Sequence, residues 1–417
     1  MNLWEYLKKH IVKYKNRIAF ANSELTYADI LTFEKNSNER KLTLCVGDNK
    51  EKQAIEILKC IASKNVAVPA VKEYGRNLLE YIEDVVQTSS QQNIVDLAFL
   101  MFTSGTTGIP KGVMLTDENI ISNIEYIKTY FNLKGMKKIC IARPLMHIAV
   151  LTGELLYALC NGLTIYFYEE AFMPQRLISY LCKNEIDVFC ATPTLYQILA
   201  LASKNNTIPI KIGVLSGEVL TSENGKNIAN TFSNTQFYNV YGLTEHSPRV
   251  SALCPEDFLK KPGSVGKAIG DVQVKIVDGE LLVKSPSVMK GYYLDELRTK
   301  EKLHDGWLQT GDCAHFDFEN YLYIDGRKDE MLIKSGLNFY PEEIENAVKK
   351  LSNIIDCVVF GERTDSGMTI CMKYIGSIEV KDLRKQLIGR LNPNIIPSRI
   401  EKVEEIACTA SGKKIRI

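Results

Sequence analysis

Between about residues 90 and 245, short apolar runs alternate with stretches of helical period. Leu97–Phe102 reads as a buried strand. Asp117–Phe131 sets Ile120, Ile121, Ile124, Ile127 and Phe131 on one helical face, with Thr116 or Asp117 as N-cap. Strand-like runs follow at Lys138–Ala142, Leu163–Tyr168, Asp187–Ala191, Lys211–Leu215 and Gln236–Val240, with helical segments between most of them. This alternation predicts a largely parallel sheet covered by helices. Ligands of such sheets sit at the carboxyl ends of the strands.

The pattern changes after Pro262. Val272–Val277 and Glu280–Lys284 flank Asp278-Gly279, a strong hairpin signal. Phe316–Ile324 alternates as well, around a turn near Glu319-Asn320, so this middle section reads as antiparallel β. Beyond Gly326, Pro341–Leu351 opens with a proline and two glutamates, a good helix start. Strands follow at Ile355–Phe360 and Thr369–Tyr374, then a helix at Val380–Leu391. The expected domain boundary falls near Arg327–Asp329, dividing the chain into 1–326 and 327–417.

Composition narrows the class. With 417 residues, 45% hydrophobic and 24% charged, this is an ordinary globular chain of roughly three domain-sized pieces. Fifty-one basic and fifty acidic residues leave a net charge of +1, which predicts no nucleic-acid or lipid-surface partner. Eleven cysteines are scattered without a CxxC pair, and the five histidines never join them at ligand spacing. Free thiols in a reducing cytoplasm are expected, not a disulfide framework or a zinc site. The opening MNLWEYLKKHIVKYKN is polar and amphipathic, not a signal peptide. The most apolar stretch, Ala149–Tyr168, is broken by Gly153, Glu154, Asn161 and Gly162, so no transmembrane segment is expected.

The chemistry begins after the strand at Leu97–Phe102. Thr103-Ser104-Gly105-Thr106-Thr107-Gly108-Ile109-Pro110-Lys111-Gly112 concentrates glycines, hydroxyls and one lysine. Glycines let backbone N–H groups approach an anion, and hydroxyls with an ammonium complete a phosphate cradle. It is not the GxxxxGK[ST] loop, because the lysine follows proline and precedes glycine. The bland alternative is a plain glycine-rich turn.

This segment closely resembles the signature loop of the adenylate-forming superfamily of acyl-CoA synthetases, adenylation domains and luciferases. Further motifs of that superfamily follow in order. Arg143-Pro144-Leu145-Met146-His147 resembles the segment ending in a histidine beside the acyl pocket; a lone histidine after a strand also serves structure alone. Ser216-Gly217-Glu218 resembles the turn against adenine. Asn239-Val240-Tyr241-Gly242-Leu243-Thr244-Glu245 resembles the heptad in which the asparagine and tyrosine meet adenine, the threonine meets the α-phosphate and the glutamate binds Mg²⁺. Gly306-Trp307-Leu308-Gln309-Thr310-Gly311-Asp312 resembles the segment whose aspartate holds the ribose. Tyr323–Asp329 resembles the ribose-binding arginine, Arg327, followed by the hinge, Asp329. Ser411-Gly412-Lys413 resembles the C-terminal catalytic loop; without the other motifs, this would be a frayed basic tail.

The resemblance implies an α/β fold: a large N-terminal domain of helix-covered mixed sheets plus a β subdomain, and a small mobile α+β C-terminal domain. It implies an acid–thiol ligase that uses ATP and Mg²⁺ to form an acyl-AMP and then transfers the acyl group to CoA or to the phosphopantetheine of an acyl carrier protein. Lys413, Thr244 and His147 are the catalytic candidates, His147 for gating the thiol path. Thr103, Ser104, Gly105, Thr106, Thr107, Gly108, Lys111, Ser216, Gly217, Glu218, Asn239, Tyr241, Gly242, Asp312 and Arg327 are the nucleotide candidates, and Glu245 with Thr106 the metal candidates. Amino-acid activators of the superfamily carry an aspartate where this chain has Met146-His147, so the small carboxylic acid substrate is expected to be aryl or fatty; Glu154 is open to replacing that aspartate, or to a surface or buried paired role. The first subdomain is shortened, and the brief Glu362–Gly367 stretch favours a carrier-protein acceptor. The rivals are a phosphotransferase and a nucleotide-binding protein without ligase activity.

Overall fold

The computed structural model describes residues 1–35, 40–72, 76–89, 94–103, 110–203, 208–334, 337–351, 353–364, 367–407 and 414–416. The chain divides into two compact units. One comprises Met1–Lys275, Leu282–Thr310 and Phe316–Tyr323, and the other Ile276–Leu281, Gly311–His315 and Ile324–Ile417.

A nine-stranded sheet dominates the first unit. Its strands run in the order Lys267–Ala268, Arg249–Leu253, Gln236–Gly242, Ile212–Leu215, Val188–Ala191, Lys138–Ile141, Thr164–Phe167, Ile18–Phe20, Leu25–Thr26. The six strands from Gln236–Gly242 to Ile18–Phe20 pair in parallel. The outer pairs are antiparallel. Val188–Ala191 and Ile212–Leu215 are buried along their whole length, which is why they are uninterrupted apolar runs instead of alternating ones.

Leu97–Thr103 does not join this sheet, against the expectation from strand–helix alternation. It lies in a second, five-stranded sheet ordered Gly291–Tyr292, Lys111–Thr116, Leu97–Thr103, Val66–Pro69, Leu42–Cys45. Period reports burial but not partner, and partner choice here depends on strands well before and well after it in the chain.

The helix Asp117–Tyr130 forms as predicted. Thr116 caps it: its Oγ1 accepts from the Asn119 N–H at 3.1 Å, while Asn119 Oδ1 accepts from the Thr116 N–H at 2.8 Å. Such a reciprocal cap contributes about 1 kcal/mol. Ile120, Ile124 and Ile127 enter the main core with Leu151, Leu155, Val188, Val214 and Val240. Helices Pro174–Lys183, Pro193–Ala202 and Ser222–Thr231 carry residues of a second cluster with Phe189, Leu215 and Phe237. The hairpin at Asp278-Gly279 also forms, with φ of 50° and 78° at those residues, the left-handed pair that a two-residue turn requires.

In the second unit, the strands Ile354–Thr364, Gly367–Gly376 and Arg399–Lys402 form one sheet. Helices Pro341–Lys349 and Val380–Leu387 contribute Ile344, Val348, Leu383 and Leu387 to its core beside Val359, Met372 and Tyr374. The second helix ends at Leu387, four residues before the predicted end. Of the Glu362–Gly367 stretch, Glu362 stands opposite Thr369 and Thr364 opposite Gly367 in the long hairpin, and Asp365 and Ser366 lie outside the described residues. Among the described residues no helix is long and apolar enough to cross a membrane.

Candidate active site

Four neighbouring parallel strands end on one edge of the nine-stranded sheet, and three of them run into candidate segments. Lys138–Ile141 leads to Arg143 and His147, Val188–Ala191 to Thr192, Ile212–Leu215 to Ser216-Gly217-Glu218, and Gln236–Gly242 to Thr244 and Glu245. Parallel topology alone collects these segments at one end.

The individual side chains are held in different ways. His147 is half-buried and precedes a short helix whose Val150 and Leu151 N–H groups bond its carbonyl. Ser216 is buried, and its Oγ accepts from Arg143 Nη1 at 3.0 Å. Gly217 and Glu218 are exposed, and Glu218 Oε2 accepts from the Thr194 N–H (3.1 Å) and Oγ1 (2.6 Å). Asn239 is buried, with Nδ2 donating to the Ser264 carbonyl at 2.8 Å. Tyr241, Gly242, Thr244 and Glu245 are half-buried. Gly242 is required by its surroundings: a Cβ there would sit 2.1 Å from the Pro248 carbonyl oxygen.

The phosphate segment hangs from the second sheet. Phe102 pairs with Gly112 and Thr103 with Lys111, so both ends of the loop are set by an antiparallel ladder. Ser104, Gly105, Thr106, Thr107 and Gly108 lie outside the described residues. Lys111 Nζ lies 5.8 Å from the centre of the Tyr292 ring, and the Tyr292 hydroxyl donates to Glu245 Oε1 at 2.9 Å. Tyr292 thus stands between the loop lysine and the metal-candidate carboxylate. The strand Gly291–Tyr292 reaches there by pairing with Lys111–Thr116, with Tyr292 opposite Val113.

Asn123, fully buried in the helix Asp117–Tyr130, fixes the segment after Glu245. Its Nδ2 donates to the carbonyls of His246 (3.2 Å) and Arg249 (2.9 Å), and its Oδ1 accepts from the Arg249 N–H (3.1 Å). His246 is fully buried against Ser285 Oγ at 2.8 Å, and burial pushes its imidazole down to about 3, so the ring is neutral.

Glu154 accepts from Arg143 Nη2 at 2.6 Å and is fully buried. Of the roles open to it, the buried paired one is what the fold adopts. Burial raises its carboxyl, and the attraction of Arg143 and Arg249 offsets only part of that.

The second unit holds its own candidates together. Arg327 Nη1 donates to Asp312 Oδ1, and its Nε to Asp329 Oδ1, both at 3.1 Å. Glu280 Oε1 accepts from the Gly311 N–H (3.0 Å) and Oε2 from Lys328 Nζ (2.8 Å), bracing the chain on both sides of this cluster. Lys413 lies outside the described residues. Lys414 and Arg416 are anchored, not frayed. Lys414 Nζ bonds Asp356 and, at 2.7 Å, the Cys357 carbonyl. Arg416 bonds Glu342, Glu345 and the Val359 carbonyl, and pairs with Glu330.

Mg²⁺ prefers hard oxygen ligands and keeps several waters, so it needs few protein groups. Glu245, half-buried and oriented by Tyr292, suits such a role. Among the described residues no group of three or more His, Cys, Asp or Glu is arranged as a protein-only metal cage.

The model of the AMP-binding enzyme family matches residues 13–293. The chain is 31% identical to the long-chain-fatty-acid–CoA ligase of Bacillus subtilis (strain 168) over 346 residues, 77% of this chain and 61% of that protein. It is also 31% identical to the 2-succinylbenzoate–CoA ligase of Listeria monocytogenes serotype 4b (strain F2365) over 323 residues, 76% of this chain and 68% of that one. Two Bacillus subtilis relatives are matched over less than two thirds of their length, 64% and 61%. Among solved structures, O-succinylbenzoate–CoA synthetase from Bacillus subtilis with ATP and magnesium superimposes with a TM-score of 0.85 at 22% identity, covering 100% of this chain and 98% of that one. ATP-bound MatB from Rhodopseudomonas palustris gives 0.86 at 20% identity, covering 99% and 97%. The chain belongs to the AMP-binding enzyme family and has the fold of these synthetases.

Proposed function

We propose that this protein activates a carboxylic acid with ATP to an acyl-AMP, releases pyrophosphate, and transfers the acyl group to the thiol of CoA. The supporting observation is the convergence of the Arg143–His147, Ser216–Glu218 and Asn239–Glu245 segments on one sheet edge, with Tyr292 between Lys111 and Glu245. The names of the relatives, CoA ligases of long-chain fatty acids and of 2-succinylbenzoate, favour CoA over a carrier-protein phosphopantetheine.

The substrate carboxylate is already ionised at neutral pH and attacks the α-phosphate without a general base. Catalysis is then positioning and electrostatics. The loop from Thr103 through Ser104, Gly105, Thr106, Thr107 and Gly108 to Lys111 holds the β- and γ-phosphates. Ser216–Glu218, Asn239, Tyr241 and Gly242 frame adenine, and Asp312 with Arg327 holds the ribose. Thr244 and Lys413 would each stabilise the charge developing at the α-phosphate. Glu245 and Thr106 would hold Mg²⁺, which when bound screens the phosphate charge. Asp329 is the hinge at which the domain 327–417 turns between the two half-reactions, and His147 gates the thiol path. The acid lacks an amino group on this reading, since Glu154 is buried and its Oε1 already accepts from the Arg143 guanidinium. ATP and CoA supply the reaction in the cytoplasm.

Carboxylate-dependent exchange of pyrophosphate into ATP tests this directly. Exchange is expected in the absence of CoA, with AMP released once CoA is added and takes the acyl group. ADP formation would establish a phosphotransferase instead, and tight ATP binding without exchange would establish a nucleotide-binding protein.

A further inference from the structure

The wall of the first unit beside Ser216 carries more charge than an apolar acyl group needs. Arg249 is only 3% exposed, and among the described residues it is the one arginine buried to that degree. Its Nη2 lies 2.9 Å from the point a Cβ on Gly153 would occupy, so the guanidinium fills space that a side chain there would take. Unlike Arg143, Arg327 and Arg416, it has no carboxylate within 4.0 Å among the described residues. Its side chain donates no hydrogen bond to any of them either.

Gly153 belongs to a π-helical segment, Leu151–Leu156. This geometry is rare, and it is frequent at functional sites. Three other buried polar atoms around it also lack partners: Thr152 Oγ1, Glu154 Oε2 and Arg143 Nε. Two guanidiniums and one carboxylate therefore share a buried site with a formal surplus of one positive charge. A guanidinium does not shed its proton to relieve this. Buried charges in folded proteins are paired, so the missing partner is an anion that arrives with the ligand.

The cluster stands beside the reacting end of the site. Arg143 bonds Ser216, and the Arg249 backbone lies opposite Gly242 in the sheet. We infer that the acid activated here is a dicarboxylic acid, whose second carboxylate is bound by Arg249, with Arg143 and Glu154 positioning that guanidinium's surroundings. Gly153 makes the room. This rests on the ligase reading of the same site and replaces a purely apolar acyl group with one that carries a terminal anion.

The test is pyrophosphate exchange across aliphatic and aryl diacids, each paired with its own monomethyl ester, in the wild type, Arg249→Gln, Arg249→Lys and Gly153→Ala. The expected result is a diacid-over-ester preference in kcat/KM of about 100-fold in the wild type. That ratio collapses in Arg249→Gln, chiefly through KM, and is partly restored in Arg249→Lys. Gly153→Ala lowers it by displacing the guanidinium, and serves if Arg249→Gln melts before assay. A wild type that prefers the esters, or a ratio unchanged by every variant, overturns the inference and leaves the ligase reading standing. Exchange with none of the acids overturns both.

Discussion

Arg327 joins Asp312 and Asp329 through one guanidinium, donating from Nη1 to the first and from Nε to the second at 3.1 Å each. Burial pulls the Arg327 guanidinium down, but the two carboxylates more than offset this and leave it raised. The ribose candidate and the hinge candidate are therefore mechanically coupled.

Replacing Asp312 with Ala removes the proposed ribose acceptor and one of the two carboxylates to which Arg327 donates. KM for ATP in pyrophosphate exchange should rise about tenfold to a hundredfold, in keeping with lost hydrogen bonds to a charged group. Arg327→Ala should raise it similarly. An unchanged KM for ATP in both variants would remove the ribose assignment.

On the proposed mechanism, Lys413→Ala should separate the half-reactions. Adenylate formation should slow by about 10²–10³-fold, the scale of one lost electrostatic stabiliser. Thioester formation from supplied acyl-AMP should persist. Equal loss in both steps would refute the assigned role.

Arg416 satisfies a buried carboxylate, that of Glu345, and reaches Glu342 and Glu330 as well. Arg416→Ala leaves Glu345 buried and without this cation, which should destabilise the second unit by roughly 3 kcal/mol. Faster amide exchange in the helix Pro341–Lys349 is the readout, and unaltered protection there would contradict it.

Tyr292→Phe deletes the hydroxyl that orients Glu245. The Mg²⁺ concentration for half-maximal exchange should rise about tenfold, as for other residues that orient a metal ligand, while the melting temperature stays close to wild type. A selective loss of stability with unaltered Mg²⁺ dependence would mean that the bond is structural only.

Asp187 gives a pH dependence. Burial by itself would raise its carboxyl. Lys211 at 2.6 Å and the N–H groups of Lys137 (2.8 Å) and Lys138 (3.0 Å) outweigh burial and hold it below the usual range. As pH falls the unfolded chain takes up this proton first. The stabilisation is thus complete above about pH 4 and is lost as pH drops through the folded value. Asp187→Asn should cost about 1 kcal/mol at pH 7 and flatten the acid limb of a denaturation series. An unchanged acid limb would refute this.

The sequence by itself determined the local elements and the order of the motifs. The helix after Thr116, the hairpin at Asp278-Gly279 and the helix at Pro341 each follow from caps, turn residues or period, which act within a few residues. The candidate residues were legible as segments for the same reason. What only the tertiary structure decided is which distant groups meet. Leu97–Thr103 pairs outside the main sheet, Tyr292 reaches Glu245 across 47 residues, and Arg143 reaches Ser216 across 73. Lys414 and Arg416, legible only as a basic tail, find their carboxylates on a helix and a strand far upstream. Arg249 gave no signal in the chain beyond being an arginine near the heptad. Its burial beside a glycine, with no carboxylate in reach, exists only once the sheet and the π-helical segment are packed, because desolvation is a property of surroundings and not of spacing.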